Sequence, residues 1–104
     1  MRILIITPYL HKARRQLNRI ITKRVNNGCT VVKAIADQYG ENREVIFDDE
    51  TELQFVLALP DEVSAKIRGI YYDVVFIDKE YNDDEVRYIR VNLIGTESKP
   101  VIYF

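Results

Sequence analysis

The sequence predicts an α/β fold: a mostly parallel sheet flanked by helices, with an inserted antiparallel β-hairpin. Two continuous apolar runs, Ile3-Leu4-Ile5-Ile6 and Val74-Val75-Phe76-Ile77, read as strands buried on both faces, as in a parallel sheet. Between them Leu10, Ala13, Leu17, Ile20, Ile21 and Arg24 recur at the spacing of one helix face. Strands of this kind alternating with helical segments specify layered α/β architecture. A chain of 104 residues fits one domain, taken as 1–104.

Taken in order, the first strand covers Arg2 to Thr7 and stops at Pro8. A helix follows from Tyr9 to Asn26, ended by Asn26-Asn27-Gly28. Thr30 to Ala36 is a second β-branched run, and Gln38 to Asn42 is a turn. Glu44–Phe47 and Glu52–Leu57 form the hairpin around an acidic tip, Asp48-Asp49-Glu50. Pro60-Asp61-Glu62 opens a short helical turn with proline and acids where helix starts favour them, and Lys66 to Gly69 closes it. Asp73 to Asp78 is a buried strand ending in a carboxylate. Asn82-Asp83-Asp84 caps a helix running to Ile94 and stopped by Gly95, although the alternation Val86, Tyr88, Arg90 also permits a strand. Pro100 to Phe104 is a last strand. The order is β-α-β, hairpin, short helix, β-α-β, with 2–7, 72–78 and 100–104 as the expected central strands.

Net charge is −1, yet residues 1–36 hold eight basic side chains and no acid, whereas 37–104 hold seven basic and sixteen acidic ones. Such a division suggests an anionic partner for the first part, or two halves that neutralise each other on folding. Cys29 is alone and His11 is the single histidine. A disulfide framework, a cysteine metal cluster and a histidine cage are therefore not expected. No run approaches the roughly 18–20 apolar residues of a membrane span, and no secretory h-region is visible, so the expected compartment is cytoplasmic.

Asp78 is the first candidate for chemistry. A carboxylate ending an apolar strand lies at the sheet edge where α/β proteins bind ligands. Glu80 lies beside it, with Asp83, Asp84 and Glu85 just beyond, and grouped carboxylates can hold Mg²⁺. The plainer reading is a strand end followed by a helix cap. No glycine-rich phosphate cradle of the GxxxxGK[ST] or GxGxxG kind exists. Ser64 and Ser98 lie outside any GxSxG elbow, and Cys29 reads as a small apolar residue entering a strand. The second candidate is the first helix. Lys12, Arg15, Arg19 and Lys23 fall within about 80° of one another on a helical wheel, and Arg14 flanks them. The plainer reading there is a solvated face, but an ordinary exposed helix mixes signs, and this one has no acid.

The layout resembles the ATPase core of phage large terminases and related superfamily-two helicases. Ile3-Leu4-Ile5-Ile6-Thr7-Pro8 with its Gln- and Arg-rich helix resembles the segment after the phosphate loop, and the hairpin resembles an inserted strand pair. Ile67-Arg68-Gly69 followed by Tyr72-Asp73 through Ile77-Asp78 resembles that family's stretch in which the last Asp is a magnesium ligand. Arg68, Gly69, Asp73 and Asp78 carry the likeness most specifically. The departures are equally clear. The phosphate loop is missing, and Lys79 stands where the catalytic Glu should follow Asp78, opposing cation binding. The resemblance implies the fold and a phage or mobile-element origin, and argues against ATP hydrolysis by this chain alone.

The expectation is a non-catalytic binding or regulatory protein without cofactor. It would contact a protein partner of nucleic-acid machinery through the basic helix or the acidic segments 48–52 and 78–85. Two alternatives stand beside it: a subunit completing a nucleotide/Mg²⁺ site in trans through Asp78 and Glu80, and a nucleic-acid-binding protein. Membrane contact is not expected, and the oligomeric state is open.

Overall fold

The computed structural model describes residues 1–62, 66, 71–93 and 100–104. Its elements are β1 (Arg2–Thr7), α1 (Leu10–Asn26), β2 (Val31–Ala36), β3 (Asn42–Phe47), β4 (Glu52–Leu57), a 3₁₀ turn (Pro60–Glu62), β5 (Val74–Ile77), α2 (Asp83–Val91) and β6 (Val101–Tyr103). The strands form one six-stranded sheet in the order β2-β3-β4-β1-β5-β6. β1 pairs in parallel with β4 and β5, and β5 with β6, while β2-β3-β4 is antiparallel.

β1 is apolar because it sits between two parallel neighbours with a layer on each face. Ile3 and Ile5 face α1, packing with Ala13, Leu17, Val45, Phe47, Leu53 and Phe55. Leu4 and Ile6 face α2, packing with Tyr72, Val75, Ile77, Tyr81, Ile89 and Leu93. Each fully buried aliphatic side chain of this kind contributes on the order of 1.5–3 kcal/mol. α1 lies across β1, β4 and β3. It ends as expected, with Gly28 in the left-handed region (φ +95°) past Asn27. α2 is a helix, not a strand. Asn82 caps it through a reciprocal box, its Oδ1 accepting from Glu85 N–H while Glu85 Oε1 accepts from Asn82 N–H. The stop expected at Ile94-Gly95 lies outside the described residues, as do Ser64, Ser98, Arg68 and Gly69.

The hairpin forms where expected, in the register Val45↔Leu53 and Ile46↔Glu52. Its acidic tip places Glu50 at φ +68°, a conformation that L side chains adopt at a cost.

Two strand placements differ from expectation. β2 does not join β1 as the first β-α-β unit implies; it pairs antiparallel with β3 on one rim. The short turn dictates this. Asp37 Oδ1 accepts from Tyr39 N–H (2.8 Å) and Glu41 N–H (3.1 Å), Asp37 N–H donates to Glu41 O (2.7 Å), and Gly40 takes φ +80°. The chain folds straight back, so β2 lies next to β3. The β2–β3 register slips between Val31 and Lys33 and again between Ile35 and Ala36. β6, expected to be central, is the other rim, because β1 already occupies the inner side of β5.

Candidate functional site

β1, β4, β5 and β6 run the same way, so their C-terminal ends share one edge of the sheet. Ile6 is in register with Ile77, which brings the next residues, Thr7 and Asp78, side by side at that edge. Asp78 is fully buried there. Thr7 Oγ1 donates to Asp78 Oδ2 at 2.6 Å, and Tyr9 N–H donates back to the same hydroxyl at 3.1 Å. The chain then turns into α1, whose first turn carries Lys12 over the carboxylate. Lys12 Nζ donates to Asp78 Oδ1 at 2.6 Å and to Glu80 Oε2 at 2.9 Å. Glu80 N–H closes the cluster on Asp78 Oδ1 at 2.9 Å. The ammonium also lies 5.9 Å from the Tyr9 ring centre and 5.8 Å from that of Phe104.

The electrostatics follow from these contacts. Burial opposes ionisation of Asp78, but the bonds from Lys12, Thr7 and the Glu80 backbone outweigh it and hold the carboxyl below the usual range. Burial likewise opposes the Lys12 charge, and Asp78 and Glu80 together raise its pKa. Tyr81, on the loop after Asp78, is pushed upward by burial and then by the nearby Asp78 charge. Its hydroxyl donates to Ala58 O.

Asp78 and Glu80, the expected magnesium pair, are thus brought together, but around an ammonium. Three of about four acceptor positions on Asp78 are already filled. Among the described residues, no group of three or more His, Cys, Asp or Glu side chains is placed to hold a metal. As folded, the pair does not fit Mg²⁺. The cation beside Asp78 is Lys12 and not the sequence-adjacent Lys79, which is exposed. Asp73 lies at the opposite end of β5, where its Oδ2 accepts from Arg2 N–H at 2.8 Å. A cavity of about 550 Å³ opens between Leu10, Tyr39 and Arg43, and Asp78 does not line it.

The basic residues of α1 divide into two groups. Lys12 is drawn to Asp78. Arg14 turns to the other flank, donating to Asp37 Oδ2 at 2.8 Å and lying 5.6 Å from the Tyr39 ring centre. Arg24 reaches Asp49 Oδ2 and Thr51 Oγ1, both at 2.8 Å, over the Phe47 ring. Arg2 pairs with Glu52 at 2.7 Å. Half of the first segment's charge is therefore neutralised across the fold. Lys12 and Arg14 leave the expected five-residue ridge. Arg15, Arg19 and Lys23 remain exposed, and none makes an ion pair among the described residues. Together with Asn18, Thr22 and Asn26 they line a shallow depression. Of the acidic tip, Asp49 is engaged while Asp48 and Glu50 are exposed.

Sequence reasoning does not single out Thr7 as a site residue, although its position mirrors that of Asp78 at the end of an apolar run. No described helix is long and apolar enough to cross a membrane. No family model and no curated protein matches the chain. Among solved structures it is similar to the large terminase of a thermophilic bacteriophage, at a TM-score of 0.63 and 9% identity, covering 98% of this chain and 25% of that one. What the two share is the fold: this chain is built like a quarter of a phage large terminase.

Proposed function

We propose that the chain is a non-catalytic binding protein of phage or mobile-element origin, which docks through the exposed basic face of α1 onto a protein partner of nucleic-acid machinery. One observation carries this reading. The cations of α1 that find carboxylates are consumed inside the fold, Lys12 sealing the Asp78–Glu80 pair, and Arg15, Arg19 and Lys23 are left facing solvent. A helix face with three cations and no acid attracts an anionic surface and speeds encounter with it. The terminase-like fold supports the setting.

The test is charge reversal. Arg15→Glu, Arg19→Glu and Lys23→Glu combined should abolish capture of the partner, read by quantitative mass spectrometry against the unmodified chain. Lys33→Glu, an exposed cation on β2, should leave capture intact. Equal capture by all three chains would sink the reading.

The depression between Arg15, Asn18, Arg19 and Lys23 favours one second reading, binding of nucleic-acid phosphates. That reading requires affinity falling steeply with salt. Completion of a nucleotide/Mg²⁺ site in trans requires Lys12 to withdraw from Asp78. Isothermal titration with Mg²⁺ and an ATP analogue, alone and with the captured partner, is expected to show no binding.

A further inference from the structure

The two faces of β5 are covered unequally. Val75 and Ile77 are sealed against Ile89 and Leu93 of the α2 side. Val74 and Phe76, on the opposite face, are only partly buried, packing along one side against the core beneath α1. On β6, Ile102 is in register with Phe76 and so shares that face, and it is 43% exposed. Phe104 continues the row. The cause is the position of α1, which lies over β1, β4 and β3 and leaves the β5–β6 half of its own layer without a helix among the described residues.

The flank of α1 that borders this gap is basic. Lys12 marks it, since Lys12 reaches Asp78 and the Phe104 ring. Gln16, Arg19 and Lys23 follow Lys12 on the same side at helical spacing. Register and helix position thus set exposed Ile102, flanked by partly buried Phe76 and Phe104, as the floor of a trough beside α1. Lys12 and the buried Gln16 stand at its inner wall, and the exposed Arg19 and Lys23 at the wall's far end. Its width suits one helix. The centre of β5–β6 lies two strand spacings from the centre of β4–β1, about 9.6 Å, and packed helices stand about 8–10 Å apart.

We propose that this trough seats an acidic amphipathic helix of a partner protein, with its apolar stripe on Phe76, Ile102 and Phe104 and its carboxylates against Arg19 and Lys23. The charge of the wall selects an acidic occupant. The apolar floor selects a peptide over a phosphate backbone, which has nothing to bury there. The proposal rests on the basic-face reading above and adds the site and the class of partner.

The probe is a fluorescein-labelled peptide of about 18 residues, five helical turns. It carries leucines at i, i+3, i+4 and i+7 and glutamates elsewhere. The control has lysine for every glutamate. By anisotropy against the full chain, the acidic peptide should bind at least about tenfold tighter than the control. In ¹⁵N spectra its shifts should gather on α1 and the β5–β6 face. Ile102→Ser, at an exposed position, and Arg19→Glu with Lys23→Glu should each weaken it about tenfold or more, with thermal melts confirming folded chains. If charge reversal abolishes binding while Ile102→Ser is silent, the trough is overturned and the basic-face reading stands. If both are silent, the trough falls, and capture of the partner by the charge-reversed chain decides the basic-face reading. Absence of acidic-peptide binding, or preference for a single-stranded DNA oligomer displaced by raised salt, also overturns the trough; the charge-reversal capture experiment then judges the basic face separately.

Discussion

Thr7 and Asp78 end adjacent parallel strands, and the Thr7 hydroxyl donates to the buried Asp78 carboxylate at 2.6 Å. This contact and the Lys12 ammonium let a full charge sit in the interior at the sheet edge. Thr7→Val keeps the shape but removes the donor from Asp78 and the acceptor from Tyr9 N–H. It should lower stability by about 1–3 kcal/mol, measured by urea unfolding.

Lys12 and Asp78 should be strongly coupled. Lys12→Met leaves a buried carboxylate without its counter-charge and should cost about 3–5 kcal/mol. Asp78→Asn should cost less, because Lys12 keeps Glu80. The double variant should fall well short of the sum, and a double-mutant cycle reads the difference. Strict additivity would mean that the two groups do not interact.

The pair also fixes how stability responds to pH. Asp78 is held below its unfolded pKa, so its contribution is present above about pH 4 and is lost as pH falls through its folded value. Lys12 is held above its unfolded value, so its contribution is complete below about pH 10 and is lost as pH rises beyond. The unmodified chain should lose stability at both extremes. Asp78→Asn should flatten the acid limb in unfolding experiments run across pH.

Glu50 occupies the left-handed region at the hairpin tip, at φ +68°. Glycine adopts that conformation without the Cβ clash. Glu50→Gly should raise stability by up to about 1 kcal/mol, with a higher melting temperature and an unchanged far-UV spectrum.

Asn82 opens α2 through the reciprocal box with Glu85. Asn82→Ala should cost about 1 kcal/mol. Asn82→Asp should restore most of it, because the carboxylate accepts the same bond and suits the helix start. Equal melting temperatures for all three chains would show that the box contributes nothing.

Much of this is legible in the residues, for reasons that vary by element. Ile3 to Ile6 betray a central strand because burial on both faces leaves no polar position. Asp78 betrays a strand end because an unpaired carboxylate cannot continue such a run. The neighbour of β2 is not legible. A β-branched run following a helix fits either a parallel crossover or a return strand, and the deciding bonds come from Asp37 to backbone amides in the turn. Lys12 is misplaced on the ridge for a different reason. A helical wheel gives azimuth and not height along the axis. Lys12 shares the azimuth of Arg19 and Lys23, but only its turn lies level with Asp78. The trough is hidden because nothing in the pattern of α1 says which strands it lies across.

The irregular pairing of β2 with β3 has a consequence for the chain at high concentration. Two slips in register, around Val31 to Lys33 and at Ile35–Ala36, bend the outermost strand so that its free amides and carbonyls no longer form a straight ladder. A second molecule laid along that margin would meet a distorted template with a lysine in the middle of it. The rim formed by β2 is in this way protected against cross-β stacking, even though Val32 is largely exposed on it.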